Sequence, residues 1–359
     1  MNTFLQTEHL TIFKTSNQQM LIENEFIRHF TAGFERSPAQ INQLHESDAE
    51  LLKFNSELLA ITVDGLAEEI DSGLYDDPYQ IGWMAVTASM SDLAAVGAKP
   101  LGILLNLQTP RMPSRNGLSE LSQGIQDACS HYGTYILGGD TNFSSSLRIA
   151  SIALGVVEKT KPLKRRGGQI GDLVYSTGAF GSGSAFGLEK LIYQNSNFPY
   201  HPTARLRESL FIRDYASACI DTSDGLFPAL AQLSEINGFG FSISKDVSDL
   251  LAPSVQQLAG NRGVPPWMFL AGPHGEFELI FIVAFDKRKS FLRASLTEHF
   301  EPLLIGEVVS GTQTTFLTGG HAVCTDLNEI TNLFYKSGED PSAYLNNLKN
   351  LHTKWKLPY

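Results

Sequence analysis

The sequence predicts an α/β protein, helices and strands intermixed in an α+β manner, arranged as two domains. Three observations carry that prediction. Apolar strand-like runs alternate with helical segments from Leu58 to Val156, and the alternation resumes from Leu173 to Val309. Between them, residues 160–171 hold Lys161, Lys164, Arg165, Arg166 and three glycines, a composition that reads as a linker followed by a basic loop. A chain of 359 residues, 42% hydrophobic and 18% charged, is long enough for two cores and has the balance of a globular protein.

Composition also excludes classes of function. A formal net charge of −11 with scattered Lys and Arg argues against a general nucleic-acid grip, which needs a basic stripe. Cys129, Cys219 and Cys324 lie far apart and suggest buried free thiols rather than a zinc site or a disulfide framework. The first residues lack a basic stretch followed by an apolar core, and no apolar run approaches a membrane span, so the expectation is a cytoplasmic protein with no membrane partner.

Taken in order, residues 1–22 are polar and weakly periodic, an extension before a helix that starts near Glu25 to Phe30. After a loop from Pro38 to Ser47, the run Leu58 to Gly65 reads as a buried strand ending in Asp64. A turn over 71–78 precedes a helix from Ile81 to Val96 that is crowded with small residues. Ile81, Ala85, Ala88 and Asp92 share one of its faces, so Asp92 points where the apolar residues point. A carboxylate there requires a metal or an ordinary partner such as Lys99 or a backbone group. Leu101 to Leu107 is a strand, Gly117 to Tyr132 a helix, and Tyr135 to Leu137 a short strand that stops at Gly138-Gly139-Asp140-Thr141. Asp140 either caps the following turn or, with Thr141, offers hard oxygen donors of the kind Mg²⁺ prefers. Arg148 to Val156 closes this half as a strand.

In the second half, the strand Leu173 to Thr177 leads through the glycine-rich Gly178 to Ser184 into a helix near Ala185 to Tyr193. The backbone amides of such an entry suit a phosphate. A dinucleotide fingerprint is the rival reading, and it fails because no second strand ending in an acid follows about twenty residues on. Cys219 to Asp221 is a further short apolar run, ending in acids before a helix that runs to Ile236, where Ser223 or Asp224 either caps the helix or serves chemistry. Strands follow at Phe239 to Ser244, Glu278 to Val283 and Leu303 to Val309, with a helix over Asp286 to His299. The tail has a helical stretch from Pro341 to Leu351.

Asp64, Asp92, Asp140, Asp221 and Asp224 thus end apolar segments, and a phosphate-suited glycine loop accompanies them. That combination suggests Mg²⁺-nucleotide chemistry, in which metal ions offset phosphate charge and carboxylates from several segments hold them. The ordered motifs TVDGL (62–66), SMSDLAAVGAKP (89–100), LGGDT (137–141), GDLVYSTGAFGSGSA (171–185), IDTSDGL (220–226) and FEL (277–279) resemble the thiamine-monophosphate kinase family. More broadly they resemble the aminoimidazole-ribonucleotide-synthetase-related (PurM-like) superfamily.

The resemblance implies a two-domain PurM-like fold, with an extension over 1–22, an N-terminal domain over 23–158 that binds ATP and metal and forms a homodimer, a C-terminal domain over 159–335, and a tail over 336–359. It implies ATP as co-substrate, Mg²⁺ as cofactor and a small-molecule acceptor, with thiamine monophosphate converted to thiamine diphosphate. By motif match, Asp48, Asp64, Asp92, Asp140 and Asp224 would hold metal. Gly138, Gly139, Asp140, Thr141, Gly178, Gly181, Gly183 and Ser223 would hold the nucleotide. Asp224 and Arg165 would serve catalysis, and Arg205, Glu276 and Glu278 the acceptor.

The chain also departs from the family pattern. Glu46-Ser47-Asp48 stands where the family has GDD, and residues 273–279 read PHGEFEL where it has GGEDYEL. Leu333-Phe334-Tyr335 is a poor match for the family's C-terminal aromatic segment. An ATP-dependent ligase of the same superfamily and a catalytically silent nucleotide-binding homologue are the alternatives. Selenophosphate synthetase would call for a cysteine before Cys129, and the hydrogenase-maturation carbamoyl dehydratase for a C-terminal cysteine in place of Tyr359.

Overall fold

The computed structural model describes residues 20–111, 114–157 and 162–357, so most of the N-terminal extension and the start of the linker lie outside the described residues. The first half runs α1 (Ile22–Thr31), β1 (Glu50–Phe54), β2 (Glu57–Gly65), α2 (Ala67–Asp71), α3 (Pro78–Ala95), β3 (Lys99–Thr109), α4 (Arg115–Tyr132), β4 (Ile136–Phe143) and β5 (Arg148–Val157). Its five strands form one sheet in the order β1-β2-β5-β3-β4, antiparallel except for the parallel pair of β3 and β4.

α3 and α4 cover one face of this sheet. α3 begins at Asp77, whose side chain accepts from the Tyr79 N–H, with Pro78 supplying the preset first turn. α4 starts under Ser114 and ends at Gly133 in the left-handed conformation. The two helices cross at glycines. A Cβ on Gly82 would sit 2.2 Å from the Leu121 carbonyl oxygen, and one on Gly124 would sit 2.1 Å from that of Tyr79. On β5, alternate residues Ile149, Ser151 and Ala153 are buried beneath α3, while Ile152 and Leu154 turn to the uncovered face.

The second half runs β6 (Leu173–Ser176), α5 (Ser182–Gly187), α6 (Leu206–Ile212), β7 (Ala216–Asp221), α7 (Leu226–Asn237), β8 (Gly240–Asp246), α8 (Pro253–Arg262), β9 (Leu279–Val283), α9 (Arg288–Thr297), β10 (Leu303–Val309), β11 (Thr314–Thr318), β12 (His321–Thr325), α10 (Leu327–Thr331), α11 (Leu333–Lys336) and α12 (Pro341–Lys354). Seven strands form the second sheet, ordered β12-β11-β8-β10-β6-β9-β7. β9 is buried along its whole length because both its faces are covered, which accounts for its unbroken apolar run. On one side Val174, Ile280 and Ile282 pack with Phe227, Leu230, Trp267 and Leu348; on the other Tyr175, Phe281 and Phe291 pack with Ala94 and Ala95 from the end of α3. The small residues of α3 therefore let one helix serve both cores.

Several elements differ from the sequence expectation. The strand before the glycines does not stop at Leu137. It continues through them as β4, where Gly139 lies so close to β3 that a Cβ would fall 2.0 Å from the Leu105 carbonyl oxygen. Those glycines serve strand pairing rather than a turn. β1, β11, β12, α6 and α8 were not expected, since the threonine-rich β11 and short β1 carry weak apolar patterns. The helix expected over Ala185 to Tyr193 is α5 followed by a π-helical turn, Leu188–Ile192.

The first described helix reaches the second half. α1 docks on the second half, with the Leu21 N–H donating to Glu235 Oε2 at 3.1 Å and the Ile22 N–H to Asn332 Oδ1 at 2.9 Å. α12 packs Tyr344, Leu348 and Leu351 into the second core.

Candidate active site

Where the two sheets face each other across α3, the fold assembles carboxylates from four segments. Asp48 comes from the loop before β1, Asp64 from the end of β2, Asp92 from α3 and Asp221 from the end of β7. Single carboxylate oxygens of Asp48, Asp92 and Asp221 lie within 4.8 Å of one another. Asp64 pairs in register with Ser151, a residue buried against Ser89 of α3, so its carboxylate turns under that helix beside Asp92.

Each acid is oriented by a neighbour. Arg165 donates to Asp48 Oδ1 from Nη2 at 2.8 Å and from Nε at 3.2 Å. Ser91 donates to Asp221 Oδ2 at 2.6 Å, Ser223 to Asp221 Oδ1 at 3.3 Å, and Thr62 to Asp92. Even so, Asp48 Oδ2 and Asp64 Oδ2 are buried without a hydrogen-bond partner. Burial, opposed by the hydrogen bond with Asp92 and reinforced by the Asp48 charge, pushes the Asp64 carboxyl up to about 6. Burial followed by the Asp48 charge takes Asp221 to about 7, and burial with the charges of Asp64, Asp221 and Asp48 drives Asp92 well above the usual carboxylate range. Burial alone would weaken the Arg165 cation, but Asp48, Asp221 and Asp92 more than reverse this and keep it protonated.

Buried acids this close repel one another, and two orphaned oxygens have lost water without gaining a donor. A hard divalent cation remedies both defects, because oxygen donors at this spacing match what Mg²⁺ accepts. The donor set therefore fits a metal ion.

Asp224 lies beyond Ser223, on the wall of a solvent-open cavity of about 480 Å³. Solvent in the cavity reaches its carboxylate, while the surrounding walls, then Glu23 and Asp221, raise its pKa. The same cavity is lined by Phe334 and Tyr335, by His274, and by Leu21 and Glu23 of α1. The aromatic segment that matched the family poorly in sequence thus reaches this wall.

Other sequence-predicted residues sit elsewhere. Asp140 and Thr141 are exposed on β4, at the outer edge of the first sheet, where Asp140 Oδ2 accepts from Asn142 Nδ2 at 2.6 Å. They do not join the three-acid group. The glycine loop presents no free N–H at Gly178, which donates to Ser176 Oγ at 3.2 Å, or at Gly181, which donates to Glu276 Oε2 at 2.8 Å. Gly183 abuts backbone, with a Cβ there falling 2.1 Å from the Gly275 carbonyl oxygen. Instead of an open cradle, this segment is a close-packed partner of the 274–278 loop.

Arg205 donates to both oxygens of Glu278, one of them at 2.8 Å from Nε, and Thr177 donates to the same carboxylate. Glu276 is buried with Oε1 unpartnered, and burial takes its carboxyl to about 8 despite the Gly181 hydrogen bond. His274, whose ring is held at Nε2 by Tyr75 Oη at 2.8 Å, is pushed down to about 4 by burial. Sequence reasoning placed Asp221 at a segment end without assigning it to metal; the apolar run ending at that acid was the available signal. Glu23 and Glu69 on the cavity wall had none, because their segments carry no motif.

Comparison with known proteins gives the following. Residues 46–157 match the family model for the N-terminal domain of AIR synthase related protein. The chain is similar to the thiamine-monophosphate kinase of Archaeoglobus fulgidus, 30% identical over 240 residues covering 65% of this chain and 76% of that one. With that of Methanospirillum hungatei it shares 32% over 247 residues, 68% of this chain and 81% of the other. Its fold matches that of AaThiL solved with AMPPCP and TMP, at a TM-score of 0.68 and 24% identity over 83% of this chain and 93% of that one.

Proposed function

The chain belongs to the thiamine-monophosphate kinase family, and from that premise we propose that it transfers the γ-phosphoryl group of ATP to thiamine monophosphate in a Mg²⁺-dependent reaction. The observation that carries this reading is the three-acid group of Asp48, Asp92 and Asp221, with orphaned oxygens on Asp48 and Asp64, and with Asp221 three residues along the chain from Asp224, which lines a cavity. Asp48, Asp92 and Asp221, with Asp64 adjoining and Asp224 near in sequence, would hold Mg²⁺, which would supply neutralisation of phosphate charge.

The chain's own residues do the positioning. Arg165 acts through Asp48, fixing one acid and stabilising the cluster's charge, while Ser91, Ser223 and Thr62 fix the others. A phosphate acceptor is already a nucleophile, so Asp224 is needed for alignment and charge rather than as a strong base. Asp140 and Thr141, exposed on the edge strand, are given no metal role in this reading.

We place the domain boundary in the linker at 158–159 and expect a homodimer. Support for the dimer comes from the uncovered face of the first sheet, where Val63, Ile152 and Leu104 form one cross-strand row, with Val63 at 66% and Leu104 at 37% exposure. Incubation with Mg-ATP and thiamine monophosphate, with thiamine diphosphate followed by mass spectrometry, tests the activity. Mg-dependent ATP binding without that product rejects thiamine monophosphate as acceptor; phosphate release stimulated by another metabolite favours a ligase.

A further inference from the structure

The charged side chains lining the cavity at Asp224 are all of one sign. Glu23, Glu68, Glu69, Asp71 and Glu339 line it together with Asp224, and no Lys or Arg is among its lining residues. Asp71 is paired with Arg148, which lies outside the lining, and the other carboxylates face a wall that is largely aliphatic and aromatic. Glu69 Oε2 is buried there without a hydrogen-bond partner.

Glu23 is the acid best placed to act on a ligand that reaches Asp224. It lines the same cavity as Asp224, its charge acts on Asp224, and its Oε2 accepts from Tyr335 Oη at 3.3 Å. The helix that carries it is held at its start by Glu235 and Asn332. Asn24, buried next to it, donates to Glu235 at 3.3 Å and to Gln232 at 3.4 Å. The helix that presents Glu23 is thus positioned before a ligand arrives.

We propose that Glu23, supplied by α1, is a specificity-determining residue that selects an acceptor whose organic portion carries a positive charge. This rests on the phosphotransferase reading above. A cation seated beside Glu23 offsets the repulsion between Glu23, Glu69 and Asp224, whereas a neutral acceptor of the same shape leaves it in place.

The test uses the full chain and two ligands: thiamine monophosphate, and its analogue with a neutral thiophene in place of the thiazolium ring. Calorimetric binding is measured for wild type, Glu23→Gln, Glu23→Asp and Glu25→Gln, the last altering an acid of α1 that does not line the cavity, and initial rates are followed with Mg-ATP. Wild type is expected to favour the cation by about tenfold or more, as one well-placed charge contact allows. Glu23→Gln should abolish that preference and raise KM for the cation about tenfold, with kcat and the ATP KM within about twofold. Glu23→Asp retains the preference and Glu25→Gln behaves as wild type. The proposal is overturned if Glu23→Gln keeps the preference, if it weakens both ligands equally, if wild type binds neither compound, or if Glu23→Gln removes Mg²⁺ binding measured without nucleotide. Binding with the expected preference but no turnover by wild type would reject phosphoryl transfer while leaving the charge selection standing.

Discussion

Asp92 was legible in the sequence as a carboxylate on an apolar helical face, and the structure explains why it is tolerated there: it is one of a group, held by Thr62 and facing Asp48 and Asp221. Asp92→Asn removes a repulsive charge and a metal donor together. Without divalent metal the variant should unfold no earlier than wild type, while the rise in Tm on adding Mg²⁺ should disappear; a preserved Mg²⁺ shift in differential scanning fluorimetry would place the metal elsewhere. His274 makes a second prediction, since nothing in Pro273-His274-Gly275 indicates that its ring is half-buried on the cavity wall. Its pKa falls from 6.5 to about 4, so the unfolded chain binds a proton that the native state refuses. Its contribution is complete above the unfolded pKa and is lost as pH drops through 6.5 toward 4, by about 3 kcal/mol at most from linkage. Urea unfolding across that window should show a shallower pH dependence for His274→Gln than for wild type.

Among the elements, the pair α3 and α4 was read nearly to its ends, because long helices with clear caps and a dense small-residue face declare themselves locally. Their spacing was not legible, since it depends on Gly82 meeting the backbone of α4 and Gly124 meeting that of α3. Gly124→Ala puts a methyl group 2.1 Å from the Tyr79 carbonyl oxygen and should cost about 1–3 kcal/mol, visible as a lowered denaturation midpoint with unchanged m. An unaltered midpoint would show that the helices separate freely. β4 gives the opposite lesson. Gly138-Gly139 reads as a break by local chemistry, but pairing with β3 draws the chain straight through, which leaves Asp140 on an exposed edge.

For the whole molecule, the uncovered sheet face predicts self-association. Val63→Asp places a charge at the most exposed end of its apolar row, and sedimentation velocity should show a dimer for wild type shifting to monomer at micromolar concentration for the variant. A monomeric wild type would remove the dimer from the proposal. The sequence by itself determined the α/β class, the two sheets with their principal strands, the family, and the acids that end apolar runs, because these are carried by local periodicity, by caps and by ordered short motifs. Tertiary structure decided which acids meet, that the 178–183 glycines are packed against Glu276 and Gly275 instead of standing open, that Arg205 is committed to Glu278, and that α1 and the last helices bring Glu23 and Tyr335 to the cavity. The last three of those outcomes join residues from about 70 to over 300 positions apart, and Asp48 and Asp92 come from separate elements. Their energies come from burial and from pairing of charges in space, and no local pattern along the chain records which distant partner a side chain will find.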